Sequence, residues 1–431
     1  MTIQDLKFPR VKWKYLAKEN LMYGANESAE LDDPSLPRYI RITDLDIEGN
    51  LKEETFKSLE WEKAKPYLLQ KGDVLLARSG ATVGKAYIHE ANISACFAGY
   101  LIKLKVDHNK VYPKFLYYYT QTKEYADWIS ENTIQATIQN VSAEKYANLE
   151  MPLPSLVEQQ VIVSFLNEKT KNISEIVKQK ERLIAILEEK RQTMITEAVT
   201  KGLNPNVKMK DSGVEWIGEI PEQWEKTRLD FIARVKARLG WKGLKADEYV
   251  DRGCIFLSTP NLKSRDIDFE NVNYITEERY LESPEIMLEK GDVLLAKDGS
   301  TLGITNVVRE LPSNATVNSS IAVLRPKELI DSIYFYYYLS STYIQDIINQ
   351  IKGGMGVPHL FQADIKKFPI ILPPLCEQKE IAKYIDEQVE NLDSLIETIK
   401  IQIQKLKEYR QSLIYEAVTG KFDVRDFEVE A

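Results

Sequence analysis

Lys71–Lys85 reads KGDVLLARSGATVGK, and Lys290–Ile304 reads KGDVLLAKDGSTLGI. Ten of these fifteen positions are identical, and the two segments stand 219 residues apart. The same offset relates Leu116–Tyr119 (LYYY) to Phe335–Tyr338 (FYYY). It relates Leu153–Pro154, Leu156 and Glu158–Gln159 to Leu372–Pro373, Leu375 and Glu377–Gln378, and the EAVT of Glu197–Thr200 to that of Glu416–Thr419. An offset that holds over such a length shows that the chain is written twice, with no net insertion between the GDVL and EAVT segments of either copy.

Each copy has the same plan. Asp73–Ala77 and Asp292–Ala296 read as short strands opened by turns at Gly72 and Gly291. Gly80, Gly84 and Gly299, Gly303 then mark a tight return. Tyr39–Ile42 and Ile255–Leu257 are further strands, and the Tyr-rich segments after Pro113 and around Asp331 read as helices. The globular parts are therefore mixed α and β.

A long helix closes each copy. Ile385, Leu392, Ile399, Leu406 and Leu413 recur every seven residues, with Val389, Ile396, Ile403, Arg410 and Ala417 as the companion row. In the first copy the rows hold Leu166, Ile173, Lys180, Leu187, Met194 and Thr170, Val177, Ile184, Arg191, Ala198. About forty residues of helix span about 60 Å. A single apolar stripe on such a helix needs a partner, and its own copy is the economical one; packing along a globular core is the alternative. Arg191 and Arg410 share one stripe position, which fits either a paired charge at a seam or a snorkelling side chain.

The expected fold class is α+β. Two similar mixed domains are separated by a pair of long antiparallel coiled-coil helices, in a pseudo-twofold internal duplication. The expected boundaries are a first domain at 1–155, a helix at 156–201, a polar linker at 202–215, a second domain at 216–374, a helix at 375–421 and a tail at 422–431. An antiparallel helix pair puts the globular parts at opposite ends, the geometry of a reader of two separated DNA half-sites.

Composition narrows the function. The chain has 431 residues, is 44% hydrophobic and 28% charged, and so predicts at least two ordinary globular domains. Its net charge of -8 speaks against a generic nucleic-acid binder, although a local basic patch suffices for recognition. The three cysteines (Cys96, Cys254, Cys376) and three histidines (His89, His108, His359) lie far apart, without metal-ligand spacing. The start MTIQDLKFPR has no apolar signal region and no run of 18 apolar residues follows, so a cytoplasmic protein without membrane contact is expected. Gly80–Lys85, GATVGK, has one residue too few between its glycines for a P-loop, and Ala86 stands where Ser or Thr is needed. No NPPY or DPPY segment, dinucleotide fingerprint or GxSxG elbow is present.

The paired GDVLLA segments with their following glycines, the LPSLVEQQ and LPPLCEQK openings, the long helices and the EAVT endings together resemble the specificity subunits of Type I restriction-modification systems. IPEQW at Ile220–Trp224 matches that family's domain start, whereas the first copy offers only Pro9 and Trp13 at a different gap. The resemblance covers nearly the whole chain. It implies a non-catalytic subunit whose two target-recognition domains each read half of a split, asymmetric duplex DNA sequence. It implies that the helices dock two modification (methyltransferase) subunits and that restriction subunits, ATP-dependent translocases and nucleases, join them. S-adenosylmethionine and ATP would bind those partners, so no cofactor is expected here.

If the halves read different sequences, residues identical in both copies cannot all read bases. Lys71, Gly72, Asp73, Gly80 and Gly84 therefore belong to shared architecture. Polar residues that differ between copies are the candidate DNA contacts. These are Arg41, Thr43, Arg78, Lys85, Asn132 and Gln135 in the first half. In the second half they are Lys236, Arg238, Lys242, Asn261, Lys263, Arg265 and Lys297. The Gly-rich Ile351–Pro358 is either a groove-entering loop or a plain connection. A duplicated scaffold without DNA recognition, and a restriction-type enzyme acting alone, are the rival functions.

Overall fold

The computed structural model describes residues 8–46, 49–80, 82–133, 140–215, 217–237, 246–352 and 359–424. The chain divides into two compact units, residues 1–181 with 400–431, and residues 182–399. Both long helices pass from one unit to the other.

In the first unit, the GDVLLA strand Val74–Ala77 lies inside a four-stranded antiparallel sheet. The order is Met22–Tyr23, Leu101–Leu104, Val74–Ala77, Ala86–Ile88. Its run of apolar residues without alternation has a direct cause, for the strand separates two cores. Val74 and Leu76 join the cluster of Phe115, Leu116 and the long helices, while Leu75 joins Ile40 and Phe97 on the other face. A parallel pair, Arg38–Ile40 with Ala95–Phe97, carries that second core. A short antiparallel pair, Arg10–Lys12 with Glu150–Pro152, leads into the helix.

The second unit repeats this arrangement. Its sheet runs Ala233–Lys236, Ile321–Pro326, Val293–Ala296, Thr305–Val307. Val293 and Leu295 face one core, and Leu294 the other. Cys254–Leu257 pairs in parallel with Ala315–Val317, as its counterpart does, and gains Asn273–Ile275 on its free edge.

The Tyr-rich segments are helices, Pro113–Tyr119 and Ser332–Ser340. The repeated Glu–Gln that follows each Leu–Pro pins them to the long helices. Gln159 accepts the Tyr112 N–H at 2.6 Å and donates to the Pro154 carbonyl at 2.8 Å. Gln378 does the same with the Asp331 N–H and the Pro373 carbonyl, both at 2.8 Å. Both glutamines are fully buried, so every polar atom must find a partner there.

The long helices run Leu156–Lys201 and Leu375–Thr419. Ser155 and Glu158 close the start of the first with a reciprocal capping box, the Ser155 N–H donating to Glu158 at 2.9 Å. Gly202 and Gly420, both at φ 76°, end the two helices. The helices pair with each other, antiparallel, within each unit. In the first unit Leu166 and Ile173 share a core with Leu413 and Ala417, and Lys180 donates to Gln402 at 2.7 Å. In the second, Ile195 and Val199 share a core with Ile385 and Val389. The expected stripe is the buried one: Ile385, Val389, Ile396, Ile399, Ile403, Leu413 and Ala417 are all buried.

Two details differ from the sequence reading. The stretch read as a linker contains a strand, Met209–Asp211, paired antiparallel with Glu219–Pro221. And Trp13 is not the counterpart of Trp224. The Trp13 N–H donates to the Leu149 carbonyl, and in the second unit it is the Leu229 N–H that donates to the matching Phe368 carbonyl, both at 3.0 Å. The residue in the place of Trp224 is Phe8. Trp224 bonds through its indole N–H to Glu377 at 2.9 Å, while Phe8 lies in an apolar recess beside Glu158. Among the described residues no helix is long and apolar enough to cross a membrane.

Candidate nucleic-acid interface

The end of the GDVLLA strand carries the same backbone frame in both units. The Ala77 N–H donates to Lys85 at 2.7 Å and the Gly84 N–H returns to Ala77 at 2.9 Å. In the second unit Ala296 donates to Ile304 and Gly303 to Ala296, each at 2.8 Å. The next residue anchors two further segments. The Arg78 N–H bonds to the Tyr100 carbonyl at 3.1 Å and the Arg78 carbonyl accepts from Val141 at 2.8 Å. Lys297 makes the matching pair with Ser320 and Leu360, at 2.8 Å each. Gly84 and Gly303 are required at the turn, at φ 85° and 95°. A Cβ on Gly84 would stand 3.0 Å from Ile129, and one on Gly303 would stand 2.8 Å from Gln345.

The side chains mounted on this common frame are different. In the first unit the Arg78 guanidinium lies over the Tyr23 ring at 4.7 Å, next to Tyr100, which is 65% exposed. In the second unit the Lys297 ammonium is drawn to Asp298 at 3.1 Å, and Asp298 is also bonded by His359. The His359 ring meets exposed Phe361 edge-on, with centroids 4.5 Å apart. Each ledge thus offers a cation together with aromatic or imidazole faces, the combination suited to phosphates and base edges. Tyr23, Tyr100, Asp298, His359 and Phe361 were not foreseen. Only His359, one of three histidines and adjacent to the Gly-rich segment, carried a signal in the sequence.

The other sequence candidates are scattered around the two units. Arg41 is held inside its own turn, bonded to Asp44 at 2.7 Å and 3.0 Å and to the Thr55 carbonyl at 2.8 Å; Thr43 on the same turn is exposed. Asn261 closes the equivalent turn of the second unit and is buried. Its Oδ1 accepts from the Ser258 N–H at 2.9 Å and its Nδ2 donates to Asn271 at 2.8 Å. Lys263 follows that turn and is exposed. Arg265 reaches Glu390 on the long helix at 3.4 Å. Lys85 reaches the Asp46 carbonyl at 3.2 Å and lines a cleft against the helix end. Asn132 bonds back to its own helix, donating to Trp128 at 2.9 Å, and Lys236 sits half-buried on an edge strand. Gln135, Arg238, Lys242 and most of the Gly-rich Ile351–Pro358 lie outside the described residues.

A family model for the Type I restriction modification DNA specificity domain matches residues 28–185 and again residues 221–405. The chain belongs to this family. The specificity subunit is 25% identical to the Type I restriction enzyme MjaVIII specificity subunit of Methanocaldococcus jannaschii, over 84% of this chain and 82% of that one. It is 23% identical to the EcoBI specificity subunit of Escherichia coli, over 74% of this chain and 68% of that one. Among solved structures, the HsdS subunit from Thermoanaerobacter tengcongensis aligns over 96% of this chain and 97% of its own, with a TM-score of 0.54 and 18% identity. A chain from a structural study of complex assembly in the type I R-M system aligns over 97% and 100%, with a TM-score of 0.75 and 17% identity. These likenesses carry the fold: two mixed domains joined by two long interacting helices. As a specificity subunit the chain supplies DNA specificity and is not itself a catalyst.

Proposed function

We propose that this specificity subunit reads one bipartite, asymmetric duplex sequence, with one half-site assigned to each unit. The observation that carries this reading is the pair of strand-end ledges, identical in backbone hydrogen bonding and unlike in side chains. A shared frame with different contents is what two readers of different half-sites need. The long helices, of 46 and 45 residues, dock two methyltransferase subunits, and restriction subunits join that assembly. The net charge of -8 leaves phosphate attraction to local cations and to the partners. The setting is the cytoplasm, where the chromosome and the partners are.

The test is methylome sequencing of a host with this gene present or deleted. A single split adenine-methylation motif that disappears with the gene is the expected result. In vitro, the assembled complex binds that duplex selectively, and binding falls steeply with salt. An assembled complex without sequence preference overturns the reading, and a chain that captures no methyltransferase and no duplex returns it to a plain scaffold.

A further inference from the structure

In the second unit three ion pairs involve one face of the second long helix. Arg309 holds Asp386 with two hydrogen bonds, at 3.0 and 2.8 Å, Arg265 reaches Glu390 at 3.4 Å, and Arg191 of the partner helix pairs with Asp393. The duplication shows what the first unit has at these positions. Shifted by 219 residues, Asp386, Glu390 and Asp393 become Asn167, Lys171 and Ser174. Arg309 becomes Glu90, which bonds to Lys114 at 2.9 Å. Arg191 becomes Arg410, so the first unit has this arginine but Ser174 in place of the carboxylate.

Arg410 accordingly makes no hydrogen bond or ion pair among the described residues, and its Nε is buried without an acceptor. It lies between two adjoining cavities of about 510 and 620 Å³, which both touch Gly49, Tyr117 and Gln121. Lys407 lines the first cavity, and Lys171 and Ser174 line the second. Among the described residues that line the cleft, the carboxylates are already committed, Glu53 to Arg38 at 2.8 Å and Glu90 to Lys114. The cleft is thus short of negative charge around a half-buried guanidinium, which strongly favours a charged acceptor.

We propose that this cleft is a carboxylate site, filled in the assembled complex by an aspartate or glutamate side chain of the partner protein that docks along the helices. It rests on the assembly proposed above. The internal copy favours a carboxylate, because Asp393 fills the same place opposite Arg191. The surroundings favour a protein over a DNA backbone: Ile176, Ile401 and Tyr409 are exposed on the helices of this unit. The second unit fills its own site from within, so the two docking ends are unequal and one partner copy gains an ion pair that the other lacks.

The experiment titrates the full chain with its methyltransferase subunit, reading stoichiometry and both affinities by calorimetry and native mass spectrometry. Two variants are compared. Arg410→Gln removes the cation, and Ser174→Asp supplies the carboxylate from within, as the second unit does. Both are expected to weaken one of the two binding steps by about 10- to 100-fold and leave the other unchanged. Ser174→Asp should do so with an equal or higher melting temperature, which separates lost docking from lost folding. Unchanged affinities at both steps for both variants overturn the proposal. So does a loss of DNA affinity with normal partner binding, which would give the cleft to a phosphate. If the wild-type chain binds no methyltransferase at all, the assembly reading falls and this inference falls with it.

Discussion

Arg78→Ala tests the ledge reading at the position where its two costs separate. In the folded chain Arg78 stacks over Tyr23 at 4.7 Å and makes no ion pair among the described residues, while its backbone bonds to Tyr100 and Val141 survive truncation. The loss to folding is therefore one partly exposed cation–π contact and some methylene packing, about 0.5–1 kcal/mol. If the guanidinium contacts a base edge, its removal costs about 1–3 kcal/mol of discrimination, or roughly 5- to 150-fold at one position of one half-site. If it contacts a phosphate, affinity falls uniformly across sequences and the log–log salt slope becomes shallower by about 0.9. The assay is fluorescence anisotropy of the assembled complex on its duplex target, from about 50 to 200 mM salt, repeated on duplexes altered singly within each half-site. Lys297→Ala is the mirror experiment and acts on the other half-site. Affinity, salt slope and base preference all unchanged in Arg78→Ala, with folding intact, would refute the placement of the reading surface.

The turn next to the ledge separates backbone strain from packing. Gly80 and Gly84 both have positive φ, at 78° and 85°, but only a Cβ on Gly84 meets a neighbour, Ile129 at 3.0 Å. Gly80→Ala should cost about 1 kcal/mol and Gly84→Ala about 1–3 kcal/mol in urea melts; equal losses would mean that contact with Ile129 does not matter. Asp386→Asn removes the charge that answers Arg309 and turns one of the two oxygens that the guanidinium and the Tyr337 hydroxyl share into a donor. The pair is about a quarter exposed, so the loss is about 1–3 kcal/mol, below that for a fully buried pair, and an Arg309→Leu/Asp386→Leu double variant should recover most of it. Burial pushes the His89 imidazole below its ordinary pKa, with Asp73 opposing the shift. A depressed folded value means that the neutral ring's contribution is complete above about pH 6.5 and is lost as pH falls through the lower folded value. His89→Val, which imports the Val308 of the second copy, should therefore flatten the acid side of the melting profile below about pH 6.5; identical acid limbs contradict this account.

What was legible in the sequence was whatever repeats or has a period. The GDVLLA strand, the Tyr-rich helices and the heptad stripe all stand where the duplication and the spacing put them. The start of the first domain is legible only as a degenerate motif, because the offset that is 219 across Leu149 and Phe368 becomes 216 between Trp13 and Leu229, and a short motif cannot reveal a three-residue shift. The strand Met209–Asp211 escaped notice because two of its three residues are charged and exposed, and it is held by backbone bonds to Glu219–Pro221 rather than by an apolar pattern. Asn261 and Arg41 show a limit of a different kind. The side-chain chemistry that suits base edges also suits closing a turn, and composition alone cannot tell the two uses apart. Tyr23 and Tyr100 were hidden among 23 tyrosines, most of which serve packing.

The duplication also explains why such a protein does not stay symmetric. A repeated frame gives both units the same backbone, while the residues mounted on it differ, as Arg78 and Lys297 do. The divergence has spread beyond the ledges. Asp386, Glu390 and Asp393 tie the second unit to its own helix through Arg309, Arg265 and Arg191, while Asn167, Lys171 and Ser174 leave the first unit with an unanswered Arg410. A solitary arginine in a half-buried seam is a liability in an isolated chain, since its desolvation is not offset. Beside an open cleft it is free to take a charged acceptor from outside the chain. The two units are therefore copies in fold but not in the ion pairs that face their long helices.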